Sequence, residues 1–185
     1  MDRLDPAHTL LVVVDVQEKL AAVMPQASMD RLQANALLLL EAARLSGVTV
    51  LASEQYPKGL GPTIAPIADK LRAMGVEPVA KITFDALGEP RIATAVSARA
   101  ARTAVVVGME THICVFQTVR ELARRGLEVH VVSDAVASRR EENRAVGLGL
   151  CERAGAVVTS AEAVAFDWLG RAGTDEFKAI SKLIR

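Results

Sequence analysis

The chain alternates two kinds of apolar pattern. Leu10-Leu11-Val12-Val13-Val14 is an unbroken run rich in β-branched residues that ends at Asp15, as in a strand covered on both faces. Leu32, Ala36, Leu39, Leu40 and Ala43 then recur at helical spacing, and Gly47 stops that helix ahead of Val48-Thr49-Val50-Leu51. The alternation continues with a helix over 64–73 ending at Gly75, a strand over 79–82, a helix over 91–99 and the strand Ala104-Val105-Val106-Val107. A helix over 114–125 closes at Gly126 ahead of a strand over 129–132. Ser138 with Glu141 reads as a capping box opening a helix that runs to about Arg153, and Ala156-Val157-Val158 reads as a last short strand. Six strands separated by helices predict a doubly wound, three-layer α/β/α fold on a parallel six-stranded sheet, with residues 1–185 forming one domain.

Composition narrows the function classes. Hydrophobic residues make up 51% of the chain but aromatic ones only 3%, so the core must be built from Val, Leu, Ile and Ala. At 185 residues the chain can bury roughly two-thirds of the surface its unfolded form exposes, without a disulfide framework. Its 22 basic and 22 acidic residues cancel, which argues against a nucleic-acid partner drawn to phosphate charge. The scarcity of aromatic rings argues against stacking on single strands. Two unrelated Cys and the lack of a secretory pattern at the start point to a soluble, cytoplasmic protein. No apolar run is long enough for a membrane span.

In an open parallel sheet, ligands bind beyond the carboxyl ends of the strands, where loops and helix N-termini converge. The first strand delivers Asp15 and Gln17 there, the second Glu54 and Tyr56, and the third Lys81, followed by Thr83 and Phe84. The fourth delivers 108–114 and the fifth Ser133 and Asp134. An acid, an amine and a thiol thus arise at three strand ends: Asp15, Lys81 and Cys114. Each alone is more often structural, but together they supply the base, orienting cation and nucleophile of covalent catalysis. Cys114 precedes the periodic run Val115, Val119, Leu122 and Ala123, which puts its sulfur in the first turn of a helix. That position predicts a thiol pKa below its ordinary value of about 8.5.

These residues resemble the isochorismatase-like cysteine hydrolases, a family that includes nicotinamidases and N-carbamoylsarcosine amidohydrolases. The matching pieces are Leu11-Val12-Val13-Val14-Asp15-Val16-Gln17, Lys81-Ile82-Thr83-Phe84 and Gly108-Met109-Glu110-Thr111-His112-Ile113-Cys114-Val115, with Ser133-Asp134-Ala135 after the fifth strand. They cover most of the chain. The resemblance implies a triad of Asp15, Lys81 and Cys114, and a thioester intermediate formed from a small amide or related acyl-type bond. It also implies a cis peptide just before Glu110, aiming the backbone amides of Glu110 and Cys114 at an oxyanion. Gln17, Tyr56, Phe84, Thr111 and His112 are the expected walls of the substrate pocket.

The nicotinamidase branch carries an Asp-x-His pair after the second strand and a further His, which together bind a metal. Here the stretch is Ser53-Glu54-Gln55-Tyr56-Pro57-Lys58-Gly59, without His. His8, His112 and His130 lie elsewhere, so the resemblance is to the metal-free members, with no cofactor expected. Cys151, in series with Leu148, reads as a buried structural thiol, and Arg139-Arg140-Glu141-Glu142 as a solvated helix start. The apolar residues Phe166, Trp168, Leu169, Phe177, Ile180 and Leu183 exceed what a small sheet obviously covers, which predicts a homo-oligomer. Two other readings stay open: a catalytically quiet binding or scaffold protein on the same fold, and a redox sensor using Cys114, for which no resolving Cys lies near in sequence.

Overall fold

Parallel strands cannot be joined by tight turns, so each must be followed by a crossover that returns to the same edge of the sheet. The computed structural model describes residues 3–184 and follows that rule. Its strands are β1 (Thr9–Val14), β2 (Thr49–Gln55), β3 (Val79–Lys81), β4 (Thr103–Met109), β5 (Glu128–Ala137) and β6 (Val157–Thr159). They form one all-parallel sheet in the order β3-β2-β1-β4-β5-β6. The helices are α1 (Glu18–Ala21), α2 (Gln26–Ser46), α3 (Pro57–Leu60), α4 (Ala65–Ala73), α5 (Pro90–Ser97), α6 (Phe116–Arg124), α7 (Glu141–Arg153), α8 (Ala161–Leu169) and α9 (Asp175–Ser181). Among the described residues, no helix is long and apolar enough to cross a membrane.

Side chains of a strand alternate between faces, and both faces of this sheet are covered. Leu11 and Val13 of β1 join a core with α2, α4, α8 and α9, through Leu32, Leu39, Ile67, Leu71, Trp168 and Ile180. Leu10, Val12 and Val14 join a second core with α5, α6 and α7, through Ile92, Val96, Val119, Leu122 and Cys151. This is why β1 and β4 read as continuous apolar runs.

The structure departs from the sequence reading in three places. The fifth strand continues past Val132 to Ala137, because its register against β4 shifts: Val106 faces Val131, but Gly108 faces Val136. Ser133 and Asp134 fall within that shift and serve the scaffold there. The Ser133 hydroxyl donates to the Thr159 carbonyl at 2.9 Å, and Asp134 accepts the Ala161 amide at 2.8 Å at the start of α8. The capping box is not formed either. Arg140 occupies the N-cap position of α7 without a side-chain cap, and the Ser138 hydroxyl lies 3.1 Å from His112 Nδ1 instead. Finally, part of the apolar C-terminal segment packs on the chain's own core, while Leu183 stays exposed at 54%. Trp168 and Ile180 are buried beside α2, and Phe166 and Phe177 meet edge-on at 5.9 Å.

Candidate active site

Going outward from β1, the chain fills one half of the sheet with β2 and β3, and then the other with β4, β5 and β6. The crevice between β1 and β4 is therefore the topological switch point, where such sheets bind ligands. Gly108 lets these two strands close on each other. Its φ is +125°, and a Cβ there would stand 2.0 Å from the Val14 carbonyl oxygen, so no other residue fits. Asp15 follows β1 in the left-handed region, at φ +51°, which Asp tolerates better than most residues. Its amide is held by the Ser53 carbonyl of β2 at 3.1 Å.

Three of the sequence-predicted residues converge. Lys81 Nζ, at the end of β3, donates to Asp15 Oδ2 at 2.7 Å, and both side chains are 0% exposed. Lys81 also reaches Gln55 Oε1 at 2.7 Å and the carbonyls of Thr83 and Phe84 at 3.1 Å each. The second carboxylate oxygen of Asp15 accepts the Ser53 hydroxyl at 2.7 Å. A buried ion pair survives only when its remaining bonding capacity is met, and here both ions are fully engaged.

Cys114 completes the group. The Met109–Glu110 peptide is cis, and Thr111–Val115 form one wide helical turn that runs directly into α6. Cys114 is thus near a helix start, as the sequence reading has it, but its thiol is pushed up to about 12, not down. Burial is the largest cause, the Asp15 charge adds to it, and the favourable pull of Lys81 is outweighed. Cys151 is also pushed up to about 12 by burial. The resting nucleophile candidate is a protonated thiol beside a carboxylate.

The expected pocket walls divide. Gln17 is not available to a ligand: its amide donates to the Gln55 carbonyl at 3.0 Å and the Gly61 carbonyl at 2.7 Å, and its Oε1 accepts the Gln55 amide at 2.8 Å. It pins the loop after α3 to β2. Tyr56 and Phe84 are exposed, at 52% and 54%, beside the strand ends that carry Gln55 and Lys81. Thr111 is buried with its hydroxyl unpartnered, and His112 is half-buried against Ser138. Three residues escaped the sequence reading. Ser53 and Gln55 show a usable signal, polar side chains two apart on a buried strand. Arg139 is exposed, as the sequence reading has it, but its backbone amide and guanidinium also grip the Glu110 carboxylate at 3.0–3.2 Å, a contact the sequence did not show.

A metal does not fit these residues. At the end of β2, the position where nicotinamidases carry ligands, Gln55 is committed to Lys81 and to the Ile82 carbonyl. Among the described residues, no three His, Cys, Asp or Glu side chains cluster in a way that could hold an ion.

The isochorismatase domain family model matches residues 9–163, which include all three converging residues. Isochorismatase domain-containing protein 2 of Bos taurus is 35% identical over the whole chain and 87% of its own length. The structure of MAR1 ribonuclease from Caenorhabditis elegans superposes with a TM-score of 0.91 at 34% identity, over 99% of this chain and 92% of that one. The YcaC gene product of Escherichia coli, described as an octameric hydrolase of unknown specificity, shares the fold with a TM-score of 0.86 at 20% identity, over 98% and 90%. With the family model covering most of the chain and a relative above 30% identity spanning all of it, the chain belongs to the isochorismatase-like hydrolase family.

Proposed function

We propose that this chain is a cysteine hydrolase that cleaves a small amide or related C–N or acyl-type bond through a thioester on Cys114. The observation that carries the reading is the buried Asp15–Lys81 pair set beside a protonated thiol. Asp15, paired with Lys81 Nζ at 2.7 Å and buried beside the thiol, is the general base in this reading. Asp15 accepts the thiol proton as Sγ bonds to the carbonyl carbon, and the backbone amides of Glu110 and Cys114 receive the developing oxyanion. The C–N bond then breaks, and the amine leaves with the proton that Asp15 held. Water attacks the thioester, Asp15 takes its proton, and the acid departs as the thiol is restored. Tyr56, Phe84, Thr111 and His112 are the pocket walls in this reading.

Ammonia or amine release across a panel of small amides, ureas and carbamates tests it. The expected result is release by the native chain that is lost in Cys114→Ala and in Asp15→Asn. Release that persists in Cys114→Ala overturns the reading, and no release by the native chain together with specific binding favours the scaffold alternative. RNA belongs in the same panel because the nematode relative is named a ribonuclease, and the balanced charge of this chain predicts no cleavage. The octameric YcaC product supports a homo-oligomeric assembly. Sedimentation at micromolar concentration should show a species heavier than one 19.7 kDa chain, and a monomer would count against it.

A further inference from the structure

The ion pair between Glu110 and Arg139 has no part in the reaction sequence above, yet it touches the turn that carries Cys114. Glu110 is only 5% exposed and, immediately after the cis peptide, is the residue that opens the Thr111–Val115 turn carrying Cys114. Its charge opposes formation of a thiolate at Cys114. Arg139 meets that charge from the junction between β5 and α7. Its amide donates to Oε2 at 3.0 Å, its Nε lies 3.1 and 3.2 Å from the two oxygens, and a terminal nitrogen lies 3.1 Å from Oε1. This fork geometry fixes the position of the carboxylate and sets a cation against it. We infer that Arg139 is a positioning residue for the nucleophile, holding the Glu110 carboxylate at the start of the Cys114 turn and offsetting part of its charge there. The inference rests on the cysteine-hydrolase reading for its purpose, but not for its test.

The other charged or titratable groups around the thiol are accounted for. Asp15, after β1, opposes thiolate formation, and Lys81, from β3, favours it. His112, on the turn itself, is engaged by Ser138. On α7, Arg144 is directed away, to the carbonyls of Ser133 and Val136 and to Glu141. Arg139 is the cation in contact with the Glu110 carboxylate.

The experiment is alkylation of the full chain by iodoacetamide at fixed pH, with the rate at Cys114 read by peptide mass. Below the thiol pKa the rate follows the thiolate fraction, so an electrostatic change reads directly as a fold-change. Arg139→Ala should slow Cys114 labelling by roughly three- to tenfold, because the carboxylate is then uncompensated. Glu110→Gln, which keeps an oxygen for the Arg139 amide, should speed it. In the Glu110→Gln background, Arg139→Ala should have little further effect; with Glu110 in place, Arg139→Lys keeps the charge without the fork and should recover only part of the native rate. An unchanged rate at Cys151 reports that the fold is intact. Equal slowing by Arg139→Ala with and without Glu110 would overturn the inference, as would slowing by Glu110→Gln alone. If Arg139→Ala does not fold, the sign of the Glu110→Gln change decides by itself. Because alkylation needs no substrate, this cycle can fail while Cys114-dependent hydrolysis stands, and the reverse.

Discussion

At the residue scale, the Asp15–Lys81 pair is a buried ion pair at the centre of the candidate site. Both side chains are fully buried, so removing one leaves the other as an uncompensated ion in a dry interior. Lys81→Met should therefore lower the unfolding free energy by about 3–5 kcal/mol. The double variant Asp15→Asn with Lys81→Met removes both charges and should cost less than Lys81→Met alone. Urea unfolding of the native chain, both single variants and the double variant checks this; a double variant that loses the sum of the two single effects would show that the pair is not an energetic unit. Asp15, Lys81 and Cys114 were legible in the sequence because parallel strands deliver their terminal side chains to one edge, whatever the intervening helices do. The role of Gln17 was not, since it ties the end of β2 at Gln55 to Gly61 in the loop after α3, whose path the pattern does not reveal. Nor was the direction of the Cys114 shift: helix-start reasoning counts the dipole, whereas the outcome depends on burial and on how near Asp15 lies.

At the scale of elements, α7 is the support on which the nucleophile turn rests. Gly147 puts its backbone against that turn, and a Cβ there would stand 2.7 Å from the His112 nitrogen and from the Thr111 carbonyl carbon. Backbone cannot yield as a side-chain tip can, so Gly147→Ala must displace either the helix or the turn. It should cost about 1–3 kcal/mol and lower turnover, because the turn carries Cys114. Gly149, two residues on in the same helix, has nothing within 4 Å of a would-be Cβ. Gly149→Ala should therefore gain about 0.5–1 kcal/mol from helix propensity and leave turnover unchanged. Thermal unfolding and hydrolysis rates of the two variants test the contrast, and equal behaviour would remove α7 from this role. The helix was legible as far as Arg153, but on the strength of a capping box that does not form. Ser138 and Glu141 satisfy a local capping rule that the end of β5 overrides, since Ser138 is drawn to His112 in the turn. Likewise β5 outran its apolar run, because a register shift carries Ser133 and Asp134 without breaking the strand.

At the scale of the whole molecule, balanced composition conceals an unbalanced response to pH. Cys114 and Cys151 are both raised from 9.0 to about 12, in each case mainly by burial. The folded chain thus keeps protons that the unfolded chain releases once the pH passes about 9. Their contribution to stability is complete below that point and is lost progressively as the pH climbs through 12. Glu41 works in the opposite direction. Hydrogen bonding from Arg44 first, and then from Lys70 of α4, lowers it from 4.5 to about 2. Its contribution is complete above 4.5 and is lost as the pH falls through 2. Stability against urea should therefore be level between these limbs and should fall on either side. On the alkaline limb each buried thiol contributes a slope of about 1.4 kcal/mol per pH unit between 9 and 12. Cys151→Ala removes one such proton and lies in the core beneath α7, away from the Asp15–Lys81 pair, so it should roughly halve that part of the slope. Glu41→Gln should remove the acid contribution and leave the alkaline limb intact. Unfolding midpoints measured from pH 2 to pH 11 for the three proteins decide the matter: an alkaline limb unaffected by Cys151→Ala would mean that the thiol is not held protonated by its burial.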